Sequence, residues 1–101
     1  MSESRRVHER FECKLDVVLT VGDRSIRGTT RNVSLGGFLL DLPESVAYGT
    51  TGKVRVRFPA LKDEAELPVT VRWVGKGDIG VQFGSLRALE VWAINQLMKG
   101  A

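Results

Sequence analysis

The stretch GKVRVRF, residues 52–58, decides the fold class, because apolar and basic residues alternate through it without interruption. Successive side chains of an extended chain point to opposite sides, so the apolar set shares one face and the basic set shares the other. The apolar set is Val54, Val56 and Phe58, and the basic set is Lys53, Arg55 and Arg57. This period of two predicts a strand with one face on a core and one in water, as in an antiparallel sheet.

Five further segments on either side of this stretch have strand-like patterns. They are CKLDVVLTV (13–21), SIRGTTRNV (25–33), FLLDL (38–42), AELPVTVRWV (65–74) and IGVQF (79–83). The first two are joined by VGDRS, which is typical of a hairpin connection, and SLGG interrupts the chain before the third. Six short strands at these spacings predict a mainly β chain folded as a small six-stranded antiparallel β-barrel.

The end of the chain, SLRALEVWAINQLMKG at 85–100, has no strand period and predicts a C-terminal α-helix. Ser85 is a candidate N-cap and Gly100 a candidate terminator. The predicted apolar stripe of this helix consists of Leu86, Leu89, Ala93 and Leu97. Trp92 falls on the opposite side, where two interpretations stay open: it packs on a loop, or it is an exposed anchor for another protein.

Length and composition fit a single soluble domain, with 101 residues of which 43% are hydrophobic and 27% charged. No apolar run approaches the roughly 20 residues needed to cross a bilayer, so we expect no membrane insertion. The first residues, MSESRRVHER, contain no apolar segment for export, and the lone Cys13 cannot form an internal disulfide. We therefore expect a cytoplasmic protein.

The residues that usually carry catalysis or bind metals are scarce. His8 and Cys13 are the only soft metal ligands, so we expect no metal site and no resident cofactor. Cys13 falls on the apolar face of its predicted strand, which favours a buried hydrophobe over a reactive thiolate. The chain has no G-x-x-x-x-G-K-[ST] phosphate loop and no recognisable pairing of nucleophile and base, so we expect no enzymatic activity.

Two short segments suggest binding instead. RRVHERF at 5–11 contains Arg5, Arg6 and Arg10, whose guanidinium groups can bind phosphates in pairs of hydrogen bonds or stack on bases. NVSLGG at 32–37 has Asn32 and Ser34 two residues apart on one face, followed by glycines that allow a ligand to approach the backbone. Asn32 can accept hydrogen bonds from guanine. The alternatives are a solvated basic arm and an ordinary polar turn.

Taken together, RVHER, NVSLGG and IGVQF resemble the PilZ domain family, which has R-x-x-x-R in an N-terminal arm, then [DN]-x-S-x-x-G, then G-[VL]-x-F before a closing helix. The resemblance extends over nearly the whole chain. It implies a flexible arginine-rich arm at residues 1–10 and a single domain at 11–101, a PilZ β-barrel with its C-terminal helix. It also implies a bacterial receptor for the second messenger cyclic di-GMP.

The resemblance further implies a role for each residue of the motifs. Arg6 and Arg10 would bind the phosphates and the Hoogsteen edges of the guanines, and Arg5 would stack on a base. Asn32 and Ser34 would contact the guanine held against the barrel, and Gly37 would keep the turn open. An arginine at the position of Arg5 fits an intercalated pair of ligand molecules. Trp73 and Gly80 are expected near the barrel rim, where they could contact the ligand, although a core position is favoured for Trp73.

The expected mechanism is that the arm becomes ordered over the ligand and that the signal then passes to a separate protein, through the arm or the terminal helix. This makes the chain an adaptor. One alternative is a PilZ-like scaffold that binds no nucleotide and acts through protein contacts. Another is a barrel that binds single-stranded nucleic acid, but the strands carry few aromatic residues, and Phe38, Phe58 and Phe83 are in apolar register. We therefore expect no nucleic-acid polymer as a partner.

Overall fold

The structure, a computed structural model, describes residues 10–99, and these form seven strands and one helix. The elements are β1 (Phe11–Glu12), β2 (Asp16–Val21), β3 (Arg24–Val33), β4 (Gly37–Asp41), β5 (Thr51–Val56), β6 (Ala65–Val74), β7 (Asp78–Phe83) and α1 (Ala88–Lys99). The prediction of a mainly β chain with a C-terminal helix is confirmed. In this part of the chain, α1 is too short and too polar to cross a membrane.

The strands close into a barrel in the order β3-β2-β5-β6-β7-β4, and the pairing of β4 with β3 completes the circle. Every pairing is antiparallel, so the predicted six-stranded antiparallel barrel is confirmed. Closure removes the free sheet edges that would otherwise invite pairing with another chain. The two-residue strand β1 is additional to the prediction and lies outside the barrel, paired with the end of β3.

The barrel interior is filled by the alternating apolar residues that the sequence indicated. In the stretch at 52–58, Val54, Val56 and Phe58 are buried and the three basic residues are exposed. The largest fully buried side chains include Phe58, Leu19, Ile26, Leu40, Leu67 and Ile94. Burial of each such side chain contributes roughly 1.5–3 kcal/mol to folding, so this core supplies most of the driving force.

The first predicted strand differs from the structure, because residues 13–15 form no strand between β1 and β2. The buried Thr30 explains the break. Its hydroxyl accepts a hydrogen bond from the Leu15 N–H at 2.8 Å and donates one to the Cys13 carbonyl at 2.6 Å. The Thr30 hydroxyl thus replaces a backbone partner for the Leu15 N–H and the Cys13 carbonyl, while the Cys13 N–H and the Leu15 carbonyl still bond to the backbone of β3. Cys13 is half-buried here, and burial raises the pKa of its thiol.

Helix α1 begins at Ala88, three residues after the predicted cap Ser85, because Glu90 caps it. The Glu90 carboxylate is buried, accepts the Arg87 backbone N–H at 2.9 Å and accepts the Arg87 guanidinium at 2.8 Å. The predicted apolar stripe is wrong at Leu89, which is 52% exposed. Trp92 is 46% exposed, which favours an exposed residue over one that packs on a loop, and its role as an anchor for another protein stays a prediction.

Candidate ligand-binding cleft

A cleft of about 420 Å³ lies on the outer surface of the barrel, across strands β3, β4, β7 and β6. Four of the six predicted ligand-binding residues line it together: Arg10, Asn32, Ser34 and Gly37. The other two, Arg5 and Arg6, lie outside the described residues. The structure therefore brings the NVSLGG turn and the last arginine of the R-x-x-x-R motif to one site, and the ligand-binding roles of all six residues stay predictions.

A β-bulge in β3 positions Asn32. The pairing with β4 shifts between Thr30 and Asn32, so that Arg31 is the extra residue in the strand. As a result Thr30 and Val33 both point into the barrel, while Arg31 and Asn32 lie consecutively outside it. Asn32 is half-buried opposite Leu39, at the base of the cleft.

The wall of the cleft is a tight turn that Ser34 holds together. The Ser34 hydroxyl accepts hydrogen bonds from the N–H groups of Gly36 at 3.0 Å and Gly37 at 3.1 Å. The Ser34 N–H in turn donates to the Gly37 carbonyl at 2.9 Å. Because the turn already uses the lone pairs of this hydroxyl, Ser34 shapes the cleft wall from within.

Gly37 is a glycine because two strands approach each other closely at this point. A Cβ atom on Gly37 would overlap the carbonyl oxygen of Val81 in the neighbouring strand β7. The residue does not have a positive φ, so its need for glycine is one of space. Gly37 therefore allows β4 to lie close to β7, and its role of keeping the turn open for a ligand stays a prediction.

A second bulge, in β6, positions Trp73 in the cleft. The pairing with β7 shifts between Val71 and Trp73, so that Arg72 is the extra residue and Trp73 lies opposite Gly80. Strict alternation would have kept Trp73 on the buried side with Val71. The bulge turns it outward, where it is 51% exposed, and the prediction of a core tryptophan is wrong. Gly80 leaves room for the indole, since a Cβ there would lie 3.3 Å from the Trp73 Cβ.

The charge of the cleft is positive. Arg10 and Arg72 line it, and among residues 10–99 no aspartate or glutamate does. The Arg72 Nε donates to the amide oxygen of Gln82 at 2.9 Å, a neutral partner that leaves the cationic charge uncompensated. A cleft that contains an exposed aromatic ring and two guanidinium groups is suited to a ligand that combines flat bases with anionic groups.

Arg31, although adjacent to Asn32, does not add to this charge. Its guanidinium is ion-paired with Asp41 and, at 2.9 Å, with Asp78. The hydrogen bond and the charge of Asp41, with the charge of Asp78, raise the pKa of Arg31. In the same described range, no cluster of His, Cys, Asp and Glu is arranged to bind a metal ion.

Three cleft residues with side chains suited to a ligand lie outside the two motifs: Arg72, Trp73 and Gln82. The sequence patterns predict no role for Arg72 or Gln82, and they favour a core position for Trp73. The sequence 65–74 gives no signal of the bulge, because in strict alternation Arg72 falls on the outer face and Trp73 on the inner face, as in any regular strand. A bulge is set by pairing with another strand, and one strand's pattern does not reveal it.

Comparison with known proteins agrees with this description. The family model described as PilZ domain matches residues 4–99. A search of the curated proteins found no match to this chain.

Three solved structures share the fold at low sequence identity. The Bacillus subtilis inhibitor of motility, MotI/DgrA, has 21% identity and a TM-score of 0.79, with 95% of this chain and 50% of that chain covered. The chain thus spans about half the length of MotI. The PilZ domain of YcgR from Escherichia coli, solved with c-di-GMP, has 13% identity and a TM-score of 0.75, with 95% and 90% covered.

The third is the PilZ domain of CeSA from a cellulose-synthesizing bacterium, with 19% identity and a TM-score of 0.71, covering 91% of this chain and 96% of that one. At identities this low, the structural likeness establishes a shared fold alone. The family match, in contrast, extends over nearly the whole sequence, including both motifs. The chain therefore belongs to the PilZ domain family.

Proposed function

We propose that this protein is a cytoplasmic receptor for cyclic di-GMP and that the cleft on β3, β4, β7 and β6 is its binding site. The observation that carries the proposal is the convergence of Arg10, Asn32 and the Ser34–Gly37 turn on one positively charged cleft. Membership of the PilZ family and the fold shared with the PilZ domain of YcgR, solved with c-di-GMP, support the same ligand.

The cleft residues divide the recognition of a cyclic dinucleotide among them. Arg10 binds phosphate oxygens and, with Arg6, a Hoogsteen edge, because a guanidinium forms paired hydrogen bonds with either. Asn32 binds the guanine held against the barrel. Trp73 offers its exposed ring as a stacking surface for a base. Arg5 stacks on a base and favours two ligand molecules per site.

Calorimetric titration with cyclic di-GMP tests this assignment. We expect saturable binding at micromolar concentration or tighter, abolished when Arg6→Ala and Arg10→Ala are combined and weakened at least tenfold by Arg10→Ala alone, about 1.4 kcal/mol. The matched control is Arg55→Ala, which removes one exposed positive charge from β5, away from the cleft. Binding that survives the double substitution would contradict the site.

Selectivity separates recognition of the base from simple attraction of charge. Cyclic di-AMP has the same phosphates and ring as cyclic di-GMP but different base edges. We expect it to bind at least a hundredfold more weakly, and Asn32→Ala to reduce this difference, because loss of a good base contact costs about 1–3 kcal/mol of discrimination. Equal affinity for both nucleotides would reject guanine recognition.

Signalling proceeds by ordering of residues 1–10 over the bound ligand, and a separate protein detects the changed arm or the adjacent helix. Hydrogen exchange measured with and without cyclic di-GMP tests this step. We expect protection of the arm amides to increase on binding, with little change in β2 and β5 at the far side of the barrel. An arm protected equally in both states would exclude the ordering mechanism.

A second candidate function, a scaffold that binds no nucleotide, is favoured by the exposed apolar residues Leu89 and Trp92 on the outer side of α1. Such residues are typical of surfaces that bind other proteins. Flat heats in the titration, together with a melting temperature that cyclic di-GMP does not shift, would favour this scaffold over the receptor.

A further inference from the structure

We infer that Arg72 is an additional ligand-binding residue, which binds a phosphate of the nucleotide and is held ready by Gln82 in the free protein. This inference rests on the proposed function and extends the site beyond the two motifs of the sequence. It makes the β6 bulge part of the recognition surface. Gln82 then holds the Arg72 Nε, and the ligand binds the terminal nitrogens of the same guanidinium.

The first observation is the bonding of Arg72. Its Nε donates to the Gln82 amide oxygen at 2.9 Å, and within residues 10–99 it forms no ion pair with a carboxylate. A guanidinium has five N–H donors, so this single bond leaves most of them available. As far as residues 10–99 are concerned, the two terminal nitrogens are therefore available to bind a pair of phosphate oxygens without breaking an ion pair.

The second observation is the neutral character of the partner. A phosphate carries a negative charge and can accept two parallel hydrogen bonds from one guanidinium, whereas the Gln82 amide is neutral and accepts one bond from the Arg72 Nε. Binding of a phosphate to the remaining donors therefore adds an attraction between opposite charges that Gln82 does not supply. Until then, the Gln82 contact keeps a long and otherwise mobile side chain on the cleft wall, which reduces the conformational entropy lost on binding.

The third observation concerns position, and it favours a phosphate over a base as the partner. Gln82 pairs with Gly37, next to the Ser34 turn, whereas Trp73 pairs with Gly80 further along β7. The cationic end of Arg72 and the ring of Trp73 thus lie at different places in the cleft. A dinucleotide that stacks a base on Trp73 presents its backbone, with the charge, toward the Arg72 side.

Titration of three variants with cyclic di-GMP tests the inference. We expect Arg72→Ala to weaken binding about tenfold, and Arg72→Lys to weaken it by less than Arg72→Ala, because lysine keeps the attraction of a point charge for phosphate but loses the paired hydrogen bonds. Arg55→Ala, the control for loss of one exposed charge, should change Kd less than about twofold. If Arg72→Ala behaves like Arg55→Ala, the inference is overturned. If Arg72→Lys is as weak as Arg72→Ala, the phosphate assignment is overturned.

A double-mutant cycle with Gln82→Leu tests the partnership of Arg72 with Gln82. This change removes the acceptor of the Arg72 Nε without adding a charge, so we expect a modest loss of affinity in the wild-type background, where Arg72 then loses more conformational entropy on binding. In the Arg72→Ala background the same change should have little further effect. Equal losses in both backgrounds would reject a role for Gln82 in holding Arg72.

The two proposals fail in distinguishable ways. If the wild-type protein gives no heat with cyclic di-GMP, the proposed function fails, and the inference about Arg72 fails with it. If the wild type binds and the Arg6→Ala, Arg10→Ala variant does not, the function stands. An unchanged Kd for Arg72→Ala then rejects the inference alone.

Discussion

The β3 and β6 bulges use the same backbone device and give opposite results. Each places an arginine and its following neighbour consecutively on the outside of the barrel, Arg31 with Asn32 and Arg72 with Trp73. Arg31 is ion-paired with two carboxylates, whereas Arg72 contacts one neutral amide. The partners across the strands, and not the bulges themselves, decide what each arginine does.

The comparison separates structural charge from functional charge. Asp41 and Asp78 lie directly opposite each other on β4 and β7, and two like charges in such a pair destabilise a sheet. Arg31 lies between them and joins three strands through one guanidinium. Arg72 has no comparable task, since its partner Gln82 needs no neutralisation. It is therefore the arginine that a ligand can recruit.

Two glycines, one near each arginine's partner, give the largest expected effects. A Cβ on Gly37 would overlap the Val81 carbonyl beside Gln82, and a Cβ on Gly28 would overlap the Asp41 carbonyl. Overpacking of this kind costs typically 1–3 kcal/mol, and we expect about 3 kcal/mol for Gly37→Ala, where the overlap with backbone is closest. Denaturant unfolding measures the loss in each variant.

Binding then distinguishes the two glycine variants. Gly37 lines the cleft and Gly28 does not, so the folded fraction of Gly28→Ala should bind cyclic di-GMP with nearly the wild-type Kd. The folded fraction of Gly37→Ala should bind much more weakly. Equal affinities for the two variants would mean that the β4–β7 contact at Gly37 contributes to the stability of the fold but not to binding of cyclic di-GMP.

The support of the β3 bulge gives the next effect. Thr30→Val keeps the shape of the buried side chain but leaves the Leu15 N–H and the Cys13 carbonyl without the bonds they have now. We expect a loss of about 2 kcal/mol in the free energy of unfolding, since an unsatisfied buried polar group costs about 1–3 kcal/mol. Thr29→Val, at the half-buried neighbour, is the control and should change stability by less than about 0.5 kcal/mol. Similar losses for both would contradict the role of the hydroxyl.

Sequence patterns predicted the barrel because burial on one face imposes a period of two on each strand, and β6 at Ala65–Val74 matches its predicted segment residue for residue. The motif residues Asn32 and Ser34 could be placed on one side of the chain because they are two residues apart, and both follow the β3 bulge. Alternation did not predict the bulge itself, which puts Asn32 outside the barrel although Thr30 points inside. Predictions from local alternation succeed wherever a strand keeps its register from end to end.

The errors arise where register or capping depends on a distant partner. Trp73 follows the apolar positions of β6 and is still turned outward, because the bulge is fixed by pairing with Gly80. The segment 13–15 alternates like a strand, but the Thr30 hydroxyl from β3 interrupts it. The helix begins at Ala88 because the Glu90 carboxylate accepts the Arg87 backbone N–H, which caps the helix two residues after Ser85, the predicted cap. In each case the structure depends on a residue that the alternation or helical periodicity of the segment does not include.

The comparison of the two arginines themselves gives the smallest effect on stability and the sharpest test. Arg31→Ala removes the only cation bonded to Asp41 and Asp78 among residues 10–99, so we expect a lower melting temperature than wild type at low salt. Because the Arg31 and Asp41 side chains are 53% and 40% exposed, the difference should shrink in 1 M salt, where the screening length falls to about 3 Å. The pair with Asp78, whose side chain is 11% exposed, should be screened less. Arg72→Ala should leave the melting temperature unchanged in either buffer.

Affinity for cyclic di-GMP should rank these two variants in the opposite order. Arg31 does not line the cleft, so Arg31→Ala molecules that remain folded should bind with a Kd close to that of wild type, while Arg72→Ala weakens binding. Thermal melting with and without nucleotide measures both the stability and the affinity of each variant. At one nucleotide concentration, tighter binding gives a larger rise in melting temperature. If Arg31→Ala reduces the nucleotide-induced shift as much as Arg72→Ala does, the two bulges share one function and the division between structural and functional charge is wrong.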